Sequence, residues 1–264
     1  MLAWTKHRFC GGKACLRCSE QCALRHKEAP IRGLHCDWIT PRILAMQRPS
    51  TRLLDTYGII DAFVEHGIGL VLNLTEPGEH PYCGDGLEEA SGFPYLPESF
   101  MDRGVAFANF AWEDMTVPLL PLLRDIVRVG AAALAGGGKV AVHCHAGYGR
   151  TGLVIASLLV HTEGMAADKA IDLVRTRRPG SVQTSAQAEI VHKFADMCRG
   201  SAIIYHLTPH ARTTLGQFLS QQGFFLHGDE SLRLRWVPKP LSLVARMLTT
   251  LAAVAAHGTA AALA

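Results

Sequence analysis

Residues 140–152, Val-Ala-Val-His-Cys-His-Ala-Gly-Tyr-Gly-Arg-Thr-Gly, constrain this chain more than any other stretch. The apolar run from Val140 to Val142 has strand character, and the residues from Gly152 to Glu163 carry a helix-forming pattern. Between them lies a glycine-rich loop that opens with Cys144 and closes six positions later with Arg150. A strand that hands over to a helix in this way belongs to an α/β fold, and open α/β sheets place ligands at the C-terminal ends of their strands. The amides of such a loop form a nest for an anion. The helix, predicted to start near Thr151 or Gly152, adds its positive N-terminal end. Arg150 supplies a planar fork that grips two phosphate oxygens. The same features favour a charged sulfur, since helix N-termini and cations bring a cysteine from about 8.5 to roughly 3.5–7.5. The pattern therefore predicts a thiolate at Cys144 facing a phosphate dianion. A Cys-x5-Arg spacing is common by chance. The preceding strand, His143, two loop glycines and an Arg-Thr-Gly helix start are much narrower together.

The rest of the chain repeats the alternation. A strand-like segment runs from Trp38 to Ile43, limited by Pro41. Ser50 is a suitable N-cap for a helix over Leu53–Tyr57, and Ile60–His66 forms another, closed by Gly67. Ile68–Leu74 is an apolar run typical of a buried parallel strand. The stretch 76–92 is loop. Val105–Phe110 is a strand, Leu119–Leu134 a helix, and three glycines at 136–138 precede the strand that delivers Cys144. Helices follow at Gly152–Glu163, Ala166–Arg177 and Ser185–Cys198. The expected architecture is a central, mostly parallel sheet flanked by helices. Three segments are expected: a basic, cysteine-rich lead-in over 1–36, one globular domain over 37–200, and a helical extension over 201–264. The Ala- and Leu-rich tail from Leu241 to Ala264 is expected to be a packed or partner-seeking helix rather than a membrane span.

With 264 residues, 48% of them hydrophobic, the chain suffices for one good core. A net charge of +3 argues against nucleic-acid binding as the main task. Met1–Phe9 carries Lys6, His7 and Arg8 and no apolar signal, so a reducing, cytoplasmic setting with free thiols is expected for the 8 cysteines. Cys10, Cys15, Cys18 and Cys22 crowd into thirteen residues. Four such ligands suffice for zinc, but the spacing is not the usual paired knuckle, and reduced surface thiols are the alternative.

The loop resembles the signature of the cysteine-dependent protein tyrosine phosphatase superfamily, His-Cys-x5-Arg-Ser/Thr-Gly. The resemblance implies a tyrosine or dual-specificity phosphatase fold and a phosphocysteine intermediate. Cys144 would be the nucleophile, with the backbone of His145, Ala146, Gly147, Tyr148 and Gly149 and the fork of Arg150 holding the phosphate. His143 and Thr151 would support the loop. A poor leaving oxygen needs a proton, and Trp112-Glu113-Asp114 resembles the mobile acid loop of these enzymes. Asp114 is the favoured acid, although Glu113 stands where the family has proline. Gln183-Thr-Ser-Ala-Gln187 resembles the loop that orients the hydrolytic water, Gln183 foremost. Segments such as Pro77-Gly78-Glu79-His80 and Phe225-Leu226-His227-Gly228 extend the likeness over nearly the whole chain, toward a dual-specificity branch similar in style to the Cdc fourteen-type enzymes. The lysine-free loop points to a phosphoprotein substrate; no cofactor, metal or stable membrane insertion is expected, and the branch implies a link to centrosomes or cilia. It covers Cys10 and Cys15 but not the other two lead-in cysteines, which weakens the zinc reading. Cys83 is conceivable as a resolving thiol for oxidised Cys144. The rival readings are a phosphoprotein-binding adaptor with low turnover, a phosphoinositide phosphatase, which the lysine-free loop disfavours, and a sulfur-transfer or arsenate-reducing enzyme.

Overall fold

The computed structural model describes residues 12, 15, 17–26, 28–202, 214–223, 226 and 228–257. Five strands form one sheet: β1 (Cys36–Thr40), β2 (Ile43–Met46), β3 (Ile68–Asn73), β4 (Ala106–Asn109) and β5 (Lys139–His143), in the order β1-β2-β5-β3-β4. Every neighbouring pair is parallel except β1 with β2. The segment expected as one strand over 38–43 is instead two. Pro41 has no amide to give a ladder, and the chain reverses at Pro41-Arg42 to pair Trp38 with Leu44.

The central strands β2, β3 and β5 are apolar through their middles because helices cover both faces. Alternate residues serve alternate cores. On one face Ile43, Ala45, Leu70, Leu72, Val140 and Val142 pack against α5 (Leu120–Ala135), α6 (Gly149–Glu163), α7 (Ala167–Arg177) and α8 (Ser185–Ala202). On the other, Leu44, Met46, Val71 and Ala141 meet α2 (Thr51–Tyr57), α3 (Ile59–Glu65) and α4 (Glu98–Met101) through Leu53, Phe63 and Phe100. Ser50 caps α2 as expected, accepting the Leu53 amide at 3.3 Å. The lead-in, expected to be irregular, contains a short helix, α1 (Glu20–Arg25). The helix after the loop starts at Gly149, so Arg150 sits in its first turn, two residues earlier than the pattern predicted.

Contacts divide the chain into two units, 1–199 and 200–264. The second holds α9 (Leu215–Gly223), α10 (Gly228–Arg233) and α11 (Lys239–His257). Within it Gln222 donates to the carbonyls of Leu234 and Val237 and accepts from the Lys239 amide, which fixes the turn into α11. A groove of about 510 Å³ in this unit is lined by Leu219, Leu226, Leu232 and Trp236. It shares no residue with the Cys144 loop. Among the described residues no helix is long and apolar enough to cross a membrane. The tail beyond His257, part of the expected helix, lies outside them.

Candidate active site

The loop after β5 has its carbonyls tied outward. The carbonyl of His145 accepts the Arg48 amide at 3.1 Å. Those of Ala146 and Gly147 accept the Arg178 guanidinium at 3.1 and 2.7 Å. That of Tyr148 accepts the amides of Gly152 and Val182. With the carbonyls committed outward, the amides of the same peptides face the interior, which is the arrangement of an anion nest. The first amides of α6 add to it, since they have no partner within the helix. Arg178 is itself buried, bonded to Asp37 at 2.5 Å and stacked over the Tyr148 ring at 4.6 Å.

Gly147 is required at its position. Its φ is +74°, and a Cβ there would overlap the carbonyl of Met46 on β2 and come within 2.9 Å of the Gln47 amide. Left-handed strain costs about 1–2 kcal/mol for an L-residue, and here backbone rather than a flexible side chain would have to move. Gly147→Ala is expected to destabilise by at least about 2 kcal/mol, lowering the melting temperature by roughly 4–8 °C, and to weaken binding of a phosphate mimic such as vanadate. Thermal unfolding with and without vanadate measures both.

Cys144 is 3% exposed. Behind it His143 Nδ1 lies 3.1 Å from the Cys144 carbonyl, and His143 Nε2 lies 2.6 Å from the Tyr95 hydroxyl. A carbonyl only accepts, so Nδ1 carries the proton and Nε2 accepts from Tyr95. Burial favours that neutral form and pushes the His143 pKa down to about 4. A depressed folded-state value contributes stability that is complete above the unfolded value of about 6.5 and is lost as pH falls toward 4. His35, pushed down to about 4 by burial, acts in the same window. The fold is thus expected to lose about 3 kcal/mol between pH 6.5 and 4 from His143 alone. His143→Asn should flatten that slope in urea titrations.

Arg150 is fully buried. Its Nη1 donates to Glu79 Oε2 at 2.8 Å and to the carbonyls of Leu74 and Trp112, and its Nη2 to Glu79 Oε1 at 2.5 Å. Burial opposes its charge, but Glu79 first, then Cys144 and Asp114, hold it firmly cationic. Its Nε has no partner among the described residues, so one donor of the fork is held in reserve. Asp114, on the loop after β4, reaches Arg150 Nη2 at 3.1 Å and His80 Nε2 at 3.3 Å. Burial alone would raise its carboxyl. The His80 hydrogen bond, the Arg150 charge and the Met115 amide overcome this and hold it well below the usual carboxylate range. Glu113 is exposed. Its place beside Asp114 does not bring it to the arginine in any ion pair among the described residues.

The glutamines lie against the helix start. A Cβ on Gly149 would come within 2.8 Å of both Gln183 Oε1 and Gln187 Nε2. Gln187 is buried and its Oε1 caps the turn by accepting the Gln183 and Thr184 amides at 2.8 and 3.4 Å. Among the described residues its Nε2 has no partner, nor has the buried Thr151 hydroxyl. Gln183 is the more exposed of the pair.

A strand-loop-helix that presents a cysteine, an arginine and a carboxylate in this way matches a known catalytic domain. The family model for the dual specificity phosphatase catalytic domain covers residues 58–196, from the start of α3 through most of α8. The chain belongs to the dual specificity phosphatase family. It is 46% identical over 250 residues to Protein tyrosine phosphatase domain-containing protein 1 of Mus musculus, covering 92% of this chain and 32% of that protein. Tyrosine-protein phosphatase CDC14 of Saccharomyces cerevisiae is 39% identical over 88 residues, 33% of this chain and 16% of that one. The crystal structure of Tk-PTP in the active form superposes with a TM-score of 0.50 at 27% identity, over 61% of this chain and 96% of that one. The chain spans about a third of the length of the mammalian and fish relatives it matches.

Several groups of this site were given no role by the sequence. Glu79 anchors Arg150 from 71 positions away. Tyr95 meets His143 across 48. Arg48 and Arg178 buttress the loop from outside it. Glu79 entered only through the resemblance of the Pro-Gly-Glu-His run in the long loop after β3, with no role attached to it. The cysteines also depart from expectation. Cys15, Cys18, Cys22, Cys36, Cys144 and Cys198 form no disulfide, but Cys83 is disulfide-bonded, because the 79–86 loop folds back on the lead-in, where the Gly84 amide meets the Gly12 carbonyl. So engaged, it is not the free thiol a resolving role requires. The four lead-in cysteines do not assemble as a set: Cys22 turns to His35 Nδ1 at 3.5 Å, and Cys10 lies outside the described residues. His145, placed in the loop by its backbone, aims its ring at Cys18.

Proposed function

We propose that the chain is a catalytic domain that hydrolyses phosphate monoesters of proteins, phosphotyrosine foremost and phosphoserine or phosphothreonine besides. The observation that carries this reading is the buried Arg150. Glu79 fixes its fork, its Nε is unengaged, and its other face is shared with Asp114 at the mouth of the Cys144 loop. The Cys144 thiolate attacks phosphorus in line, forming the S–P bond as the ester O–P bond breaks. Arg150 and the loop amides hold the equatorial oxygens. Asp114 gives its proton to the leaving oxygen, then takes one from a water that attacks phosphorus and releases Cys144. The Gln183–Gln187 turn flanks the path of that water. No step calls on a metal.

A phosphate dianion that takes Nη2 of Arg150 also frees Asp114 from its cation, so substrate binding itself raises the affinity of Asp114 for the proton it must donate. The test is phosphate release from matched phosphotyrosyl and phosphoseryl peptides in the presence of EDTA. Turnover of the phosphotyrosyl peptide that persists in EDTA is expected. Tight peptide binding with no release above the buffer blank would favour a binding adaptor instead.

A further inference from the structure

Beside the catalytic loop lies a second cluster that phosphoryl transfer does not use. The sulfurs of Cys15, Cys18 and Cys83 and a ring nitrogen of His145 all lie within 4.8 Å of one another, and all four residues are buried. Cys18 Sγ is 3.5 Å from Cys83 Sγ and 3.2 Å from His145 Nε2. Ligands at zinc distances of about 2.3 Å for sulfur and 2.0 Å for nitrogen stand roughly 3.5–3.8 Å apart in a tetrahedron. We propose that the reduced protein binds one zinc ion through Cys15, Cys18, Cys83 and His145, and that this ion ties the lead-in to the phosphate loop.

Three arguments support this. First, the donor set is soft and complete. Cys15-x-x-Cys18 has the two-residue gap of a zinc knuckle, and three sulfurs with one imidazole is a common structural zinc set. Second, the three cysteines form an apolar cluster of their own, apart from both main cores. They are too few to be held together by hydrophobic burial alone. Third, the surroundings suit the charge. Three thiolates and a neutral imidazole around a divalent ion leave one negative charge. Arg48, buried at 2% exposure, donates to the Cys83, His80 and Glu79 carbonyls rather than to a carboxylate. Its cation faces the site that would carry the opposite charge. The other group that shares His145, with His80 and Asp114, is a poorer candidate, because Asp114 is already paired with Arg150.

Cys83 reaches this site only as a thiol. A phosphine splits its disulfide by becoming the phosphine oxide, with the oxygen and both new thiol protons coming from water. The three cysteines then release their protons to solvent as the metal binds. Disulfide and zinc are thus alternative states of one sulfur, and His145, next to Cys144, couples the choice to the catalytic loop.

The experiment is anaerobic titration of the phosphine-reduced full chain with cobalt(II), followed by displacement with zinc. Expected are saturation at one equivalent, intense tetrahedral d–d bands, sulfur-to-cobalt charge transfer of a strength set by three thiolates, and loss of all of these on adding one equivalent of zinc. Cys18→Ser should abolish tight binding, and Cys22→Ser, outside the cluster, should keep it. A weak octahedral spectrum, charge transfer from fewer than three thiolates, or equal binding by Cys18→Ser would overturn the proposal. The wild-type spectrum decides the matter even if Cys18→Ser fails to fold. None of these readouts depends on phosphatase turnover.

Discussion

Cys144→Ser is expected to lower turnover by roughly 10⁴-fold or more while leaving the fold and phosphopeptide binding in place. The exchange removes the thiolate and nothing else of size. Serine needs a neighbouring base to attack phosphorus, and the described groups beside the loop are already engaged: Asp114 with Arg150 and His80. His143 is committed to the Cys144 carbonyl on one nitrogen and to Tyr95 on the other, and His145 turns its Nε2 to Cys18. The loop amides, Arg150 and its anchor Glu79 remain, so the ground state still binds. The measurement is paired: rapid-quench detection of a phosphoenzyme with the wild type, and calorimetric binding of the same phosphotyrosyl peptide by the variant. A stable variant that keeps even one hundredth of wild-type turnover would remove Cys144 from the nucleophile's role.

The parts of this site that are contiguous in sequence were legible, and the parts assembled across the chain were not. The apolar run into a glycine-rich loop is a local pattern, and it placed Cys144 and Arg150 at the end of the central strand. The helix start moved to Gly149 because the absent side chain there admits both glutamine amides, a packing fact with no local signature. The β1–β2 reversal was hidden because a short apolar stretch around a proline reads equally as one limited strand. Glu79 looked like one acid among several in a long loop. Its bond to Arg150 exists because the parallel order β2-β5-β3 sets the loop after β3 beside the loop after β5. The Cys15, Cys18, Cys83 and His145 cluster was obscured in the same way. Counting cysteines along the lead-in grouped Cys10 to Cys22, whereas among the described residues the fold joins Cys15 and Cys18 to residues 65 and 127 positions beyond Cys18.

Asp114→Asn carries the second large effect, and its sign with pH separates a general acid from a structural partner of Arg150. For a phosphotyrosyl peptide, whose leaving oxygen needs a proton, kcat is expected to fall by about 10²–10⁴-fold. For an aryl phosphate with a strongly acidic leaving group the loss should be much smaller, because that oxygen departs as an anion. The pH argument follows from the free site. There Asp114 is held ionised by His80, Arg150 and the Met115 amide, so the proton it donates must be taken up as the substrate displaces it from Arg150. In the Cys144→Ser background, peptide binding should therefore take up a proton and weaken as pH rises. Adding Asp114→Asn should abolish the uptake attributable to this carboxyl and flatten the dependence. In active enzyme, the limb of kcat that declines with rising pH should vanish in Asp114→Asn. Glu113→Gln is the control, and it should stay within about twofold of wild type, as exposed side chains away from reacting atoms usually do. If Glu113→Gln lost the peptide activity and Asp114→Asn kept it, the Arg150 contact of Asp114 would be structural and the acid would be its neighbour.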